Sequence, residues 1–271
     1  MPKVALTETL RSEYENLFNQ CAIRAEHAAA IESIASKLMT NKPRYDAVAD
    51  EIGVPWFFVG AVHNMESSLN FMCHLHNGDP LTARTVQVPA GRPKTGEPPF
   101  TWEDSAEDAL SMKSLSAQTD WSLAGTLYQL ERYNGWGYRL YHPHVLSPYL
   151  WSGSNLYTSG KYIADGTWSD TAASKQDGAA VLLRRLAERE HVEFADQPAP
   201  SPSDAPLVVN YATKASTNPV VVQRSEDLQR WLNTFPGVFV KVDGVAGRRT
   251  SEAYRKVTGS YLKGDPRDKD H

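Results

Sequence analysis

Apolar residues along this chain recur mostly at helical spacing, and one stretch breaks that rule. Leu10, Tyr14, Leu17, Phe18 and Cys21 lie three and four positions apart, and Ala28 to Leu38 continues with strong helix formers. The pattern predicts one or two helices over residues 5–40, a break at Asn41-Lys42-Pro43, and a short helix from Arg44 to Ile52 ended by Gly53. Then Val54 to Val62 runs without a polar side chain, which reads as a segment buried on all sides, with Pro55 in its first turn. His63, Asn64, Glu66, Ser67, Ser68 and Asn70 end the run. Glu66 therefore sits where a buried helix surfaces. Burial and the negative end of the helix dipole both disfavour its ionised form.

Downstream, the spacing changes in kind. Leu81 to Val88 alternates and is rich in β-branched residues, predicting a strand or small hairpin, and the Pro- and Gly-rich stretch from Pro89 to Phe100 predicts a long loop walling a groove. Helical patterns return over Thr101 to Leu115, over Asp120 to Tyr133 with Asp120 as N-cap, and over Asp177 to Glu190 as an amphipathic helix. Between the last two, residues 134–168 interleave eight Trp and Tyr residues with Gly, Pro, Ser and Asn, too many in a loop-rich stretch for all to be core. Pro198, Pro200, Pro202 and Pro206 mark an extended linker within residues 191–220. Beyond it, Leu228-Gln229 and Asp243-Gly244-x-x-Gly247-x-x-Thr250 mark a small helical module. There Asp243-Gly244 would make one turn, Gly247 a second, and Thr250 would cap the next helix. The charged residues 263–271 read as a disordered tail.

Length and charge narrow the possibilities. The 271 residues suffice for one large domain, residues 1–190, and one small one, residues 221–262. A formal net charge of −4 gives no general attraction to nucleic acid or anionic membranes. No apolar run reaches the length of a membrane span, and the first residues lack the apolar core of a secretory signal. Cys21 and Cys73 make no disulfide framework. His63, His74, His76 and Cys73 match no closed zinc pattern, so no metal or other cofactor is expected, and His63 is free to support Glu66.

Two carboxyls stand out. Glu66 has the setting of a general acid; Asp79, in the turn string Asn77-Gly78-Asp79-Pro80, should be solvated and ionised. Such a contrast is the working pair of a glycoside hydrolase. Asp79 reads equally well as a plain turn-former, and Glu103 and Asp104 are the next second carboxylates, or the decoration of a helix start. Tyr133 and Asn134 can cap a helix before Gly135 and still present side chains; Glu131 reads as a solvated helix face.

The string Glu66-Ser67-Ser68-x-Asn70 resembles the catalytic-glutamate motif of the lysozyme superfamily, especially goose-type lysozymes and soluble lytic transglycosylases. Glu131-Arg132-Tyr133-Asn134-Gly135-Trp136-Gly137 resembles the Tyr-Asn-Ala-Gly motif of the same families. Together the two cover roughly residues 45–165. The C-terminal spacing resembles the repeat of three-helix peptidoglycan-binding modules, as in phage and bacterial endolysins, although its last helix lacks the usual Phe-Gln. The resemblance implies a mainly α, lysozyme-like fold with a small β element, and cleavage of the β-1,4 bond between N-acetylmuramic acid and N-acetylglucosamine. Glu66 would be the acid and Asp79 the water-activating carboxylate. Ser67, Asn70, Tyr133, Asn134, Trp136 and Tyr157 would contact glycan, and Trp231, Asp243, Gly244, Gly247 and Thr250 would serve wall binding. It further implies a monomer that is made in the cytoplasm, released by a holin or a specialised exporter, and active on peptidoglycan strands. A lytic transglycosylase, a chitin-cleaving enzyme and a non-catalytic wall-binding protein are the alternatives.

Overall fold

The computed structural model describes residues 4–195 and 209–268, and the fold is mainly helical. Helices α1 (Glu8–Gln20), α2 (Ala25–Thr40) and α3 (Lys42–Ile52) follow the apolar spacing. Gly53, at φ 71°, ends α3 in the left-handed conformation that only glycine adopts without strain. Pro55 is the N-cap of α4 (Trp56–Ser67). This helix buries every residue from Phe57 to Asn64 and lies against α3, α6 and α9. Gly60 lets α2 approach closely, since a Cβ there would lie 3.0 Å from Leu38.

Helix α5 (Trp102–Met112) is capped by Thr101, whose hydroxyl accepts from Asp104 N. Helix α6 (Leu123–Asn134) is capped by Ser122, correcting the expectation for Asp120. The Asp120 carboxylate instead receives the Ser122 N–H and Arg11. Short helices α7 (Gly137–Tyr141) and α8 (Pro148–Trp151) follow.

The β element is real but displaced. Residues 81–88 form no strand; Val86 and Val88 are 78% and 90% exposed, and the segment has no partner strand to satisfy. The sheet is instead an antiparallel hairpin of β1 (Lys161–Ala164) and β2 (Thr167–Ser169), paired through Tyr162–Trp168 and Ala164–Thr167. Its two-residue turn is Asp165-Gly166, with Gly166 at φ 68°, a strong hairpin signal lying within the stretch read as aromatic loop.

Helix α9 (Ala179–Glu188) is amphipathic as expected, and all ten of its residues are buried. Its polar side is covered by α1 and by the C-terminal module. Arg184 donates to Glu188 Oε1 at 3.2 Å, to Phe18 O at 3.1 Å and to Val240 O at 3.2 Å. Phe239 of the module packs edge-on against Phe18 of the large core at 5.3 Å.

The module carries two helices among the described residues, α10 (Pro219–Leu232) and α11 (Arg248–Thr258), where three were expected. Val209 sits in its core, so packed chain reaches upstream of residue 221; the four linker prolines, 198 to 206, lie outside the described residues. Part of residues 263–268 is held against the module: Asp265 is buried and bound by Arg267, which also pairs with Glu252, correcting the expected disordered tail to that point. No helix is long and apolar enough to cross a membrane among the described residues.

Candidate active site

Glu66 occupies the last turn of α4. The chain leaves that helix through two non-glycine residues in the left-handed region, Ser68 at φ 52° and Leu69 at φ 62°. Such backbone is uncommon outside glycine and clusters at functional sites. Ser68 N returns to Asn64 O at 3.1 Å and Leu69 N to His63 O at 3.4 Å, closing the helix end.

Among the described residues the Glu66 carboxyl has one direct partner: the Tyr149 hydroxyl, from α8, donates to Oε1 at 3.0 Å. Burial pushes the carboxyl up to about 7, against the opposing pull of Tyr149 and of the Lys113 ammonium. Tyr133, from α6, lies near enough that the Glu66 charge, after burial, raises its phenol. Its hydroxyl donates to Leu75 O at 3.3 Å. Lys113, at the end of α5, donates to Tyr133 O at 3.4 Å and lies 4.8 Å over the Tyr133 ring. Burial lowers the ammonium's proton affinity, while Glu66 supports its charge. Four elements thus converge on one carboxyl. Because Oε1 accepts the Tyr149 bond, a proton held by Glu66 belongs on Oε2, where it is free to be given away.

The Asp79 turn lies directly beside this helix end. A Cβ on Gly78, at φ 80°, would lie 3.3 Å from Glu66 O. The Asp79 side chain is ionised but not solvated: it is 7% exposed. Its Oδ2 accepts from Val86 N at 2.8 Å, Gln87 N at 3.0 Å and Asn77 Nδ2 at 3.0 Å. Those donors, Gln87 N first, hold the carboxyl below its ordinary range. One oxygen of Asp79 is therefore committed to folding the 77–87 loop.

Other expected contacts divide the same way. Ser67 Oγ bonds back to His63 O at 3.3 Å; exposed Asn70 accepts from Met72 N at 3.0 Å and so shapes the turn. Asn134 is exposed at the end of α6. Trp136 and Tyr157 are largely buried. Trp136 is buried 5.0 Å from Tyr128, and the buried Tyr157 hydroxyl bridges Gly160 O and Ser174 N. Around the hairpin, Trp168, Tyr162 and Tyr138 pack with one another, and His142 stacks on Trp168 at 3.5 Å and 7°.

Glu131 is no solvated face: it is 3% exposed, receives the Tyr14 hydroxyl, and pairs with Arg139 at 2.9 Å. Glu103 is spent on Arg44, at 2.6 and 2.9 Å, while Asp104 sits in the capped first turn of α5. The histidines have local partners. His63 shares a hydrogen bond with Tyr45 at 3.0 Å rather than reaching Glu66, and burial pushes it down to about 4. His74 bonds Ser105 and Ala83 O, and His76 bonds Asp108 at 2.7 Å. Cys21 is buried and Cys73 partly so; both are free thiols.

In the module, the motif residues are scaffold. The buried Gln229 side chain donates to Asp243 Oδ1, Val245 O and Thr250 Oγ1 and accepts from Asp243 N and Gly244 N. Gly244 turns at φ 70°. Gly247 is the N-cap of α11 with extended backbone, so Thr250 lies inside that helix rather than capping it. Trp231 is half-buried against Phe235 at 4.9 Å. Sequence spacing located these residues because a turn held by a buried glutamine requires them.

Sequence reasoning missed Tyr149 and Lys113. Nothing local marks either one; each becomes significant only through its distance to Glu66.

Compared with known proteins, the chain matches no family model, no curated sequence and no solved structure.

Proposed function

We propose that this protein cleaves the glycan strand of peptidoglycan at the β-1,4 bond between N-acetylmuramic acid and N-acetylglucosamine, with Glu66 as the general acid. The observation that carries the reading is the state of Glu66: a carboxyl at the end of a buried helix, pushed up to about 7, with its second oxygen unclaimed among the described residues. Such a group keeps its proton in about half the molecules at neutral pH and in most of them below it, as a group that must protonate a glycosidic oxygen has to do. As the bond breaks, the proton passes from Oε2 to the leaving oxygen and Glu66 becomes a carboxylate. Tyr149 then donates to a charged acceptor, and the nearby Lys113 ammonium offsets the new charge. Tyr133 lies close to Glu66, and Asn134 follows it, exposed, at the end of α6. The motif likenesses at Glu66 and at Tyr133-Asn134 supply the substrate class, and the module would keep the enzyme on the wall.

Hydrolysis requires water to be activated on the opposite face of the sugar, the role first assigned to Asp79. The commitment of Asp79 Oδ2 to three donors favours a second reading, a lytic transglycosylase. There the sugar's own C6 hydroxyl attacks the anomeric carbon and gives its proton to the Glu66 carboxylate left by the first transfer, so no second carboxylate is needed. Mass spectrometry of soluble products from purified peptidoglycan, with the Glu66→Gln protein alongside, separates the readings. Reducing-end muramic acid that disappears with the variant identifies a muramidase. A 1,6-anhydro-muramic product identifies a transglycosylase. No product from either protein, with both pelleting with the wall, makes this a wall-binding protein.

A further inference from the structure

Three consecutive residues, Gln176, Asp177 and Gly178, are each fastened to a different helix around Glu66. Gln176 Nε2 donates both of its hydrogens to the end of α4, to Asn64 O and Met65 O, each at 3.0 Å. Those are the carbonyls just before Glu66. The left-handed turn at Ser68 and Leu69 sends the Leu69 N–H to His63 O, so Met65 O loses the partner that a continuing helix would provide. Asp177 is buried, and its Oδ1 lies 2.6 Å from His27 Nδ1 on α2. Gly178 N donates to Ser152 O at 2.8 Å, at the end of α8. A Cβ on Gly178 would lie 2.3 Å from Leu150 O, so the strand of chain presses directly on α8, the helix that carries Tyr149. The tripeptide therefore ties the helix bearing the acid to the helix bearing its hydrogen-bond partner, using α2 as the anchor.

We propose that Gln176 is a positioning residue for Glu66: its amide grips the terminal carbonyls of α4 and fixes the acid against Tyr149. The grip has an electrostatic side. Helix C-terminal carbonyls present partial negative charge, and Glu66 sits among them. The positive end of the Gln176 amide dipole caps two of those carbonyls. It thereby weakens the field that disfavours the Glu66 carboxylate. The other groups that act on Glu66 are Tyr149 on α8 and Lys113 beyond α5; Tyr133 on α6 lies close to the same carboxyl, Arg132 acts on Lys113, and the Asp177–His27 pair adjoins Gln176 in sequence. None of them contacts the Asn64 and Met65 carbonyls through a hydrogen bond seen here.

The proposal deepens the reading of Glu66 as the acid, but its test does not depend on that reading. The carboxyl carbon of Glu66 is titrated by NMR in the full-length protein and in two variants. Gln176→Met keeps the length and loses the donors, so the Glu66 midpoint rises by about half a pH unit. Gln176→Lys still donates and adds positive charge, so the midpoint falls by a similar amount. On soluble glycan fragments, Gln176→Met lowers kcat about tenfold with KM within about twofold, and the high-pH limb of the profile moves up with the midpoint. Midpoints equal to wild type in both variants overturn the proposal, whatever their melting temperatures. If Glu66→Gln retains cleavage, the catalytic reading fails, while the two titrations still decide the role of Gln176.

Discussion

The end of α4 and the turn beside it hold two carboxyls thirteen residues apart in sequence, treated in opposite ways. Both are largely removed from water. At Glu66 the described residues supply one hydrogen bond, to Oε1, so burial wins and the proton is held until the pH nears about 7. At Asp79 three donors converge on a single oxygen, so hydrogen bonding wins over burial and the charge is retained. Burial alone therefore decides nothing about a carboxyl. What decides is the number of N–H groups aimed at it. The unsatisfied group can do chemistry; the satisfied one holds a loop in place.

The largest test of this contrast is Glu66→Gln. Glycan cleavage falls by at least about a thousandfold, the range of a lost general acid, while the far-ultraviolet spectrum is unchanged. Cleavage within tenfold of wild type would place the acid elsewhere.

Next in size is the pH dependence of stability. The folded state raises Glu66 from 4.5 to about 7, so between those values it binds more protons than the unfolded chain. Its contribution is intact below 4.5 and is lost as pH rises through 7, by up to about 3 kcal/mol. Asp79 has the opposite sign: its contribution is present above the ordinary carboxylate range and is lost as pH falls through its lowered value. Urea unfolding across pH 4 to 8 should show the alkaline loss vanish in Glu66→Gln and persist in an Asp79 variant.

Asp79→Asn is expected to cost about 2 kcal/mol in the same unfolding experiment, since charge-assisted bonds to two backbone N–H groups become weaker neutral ones. Folded Asp79→Asn should keep cleavage within about tenfold. A hundredfold loss in well-folded protein would return Asp79 to the chemistry and break the comparison. The smallest effect belongs to Tyr149→Phe. Removing a donor to the carboxylate raises the Glu66 midpoint by about half a pH unit, read as an upward shift of the high-pH limb of activity.

Much of this was legible from spacing alone. The apolar run from Val54 to Val62 specified a buried helix, and a polar residue at its end specified a desolvated acid. Turn strings were legible as well, because Gly53 and Gly244 impose backbone conformations that few other residues adopt. Residues whose meaning lies in distant partners were not legible. Glu131 looks like any helix-surface glutamate until Arg139 and Tyr14 close over it, and Arg184 like any cation on an amphipathic helix until the module covers it. Leu81 to Val88 has the composition of a strand, but a strand also needs a partner. The hairpin formed instead where Asp165-Gly166 supplied the turn. Aromatic content was a mixed guide: Trp136 and Tyr157 are buried in the fold, while Tyr149, one of the same eight aromatic residues but not singled out among them, is the residue that touches the acid.

Helix α9 also has a consequence for synthesis. It packs against α2, α4 and α8, yet its residues, 179–188, leave the ribosome after every other helix of the large domain. Until then the faces of α2 and α4 that it covers have no occupant. The large core cannot close progressively from its N-terminus; it must wait with apolar surface open and then fold around a late segment. A nascent chain stalled before residue 179 is therefore expected to be a stronger client for chaperones than one released after residue 195, in which only the surface covered by the module stays open.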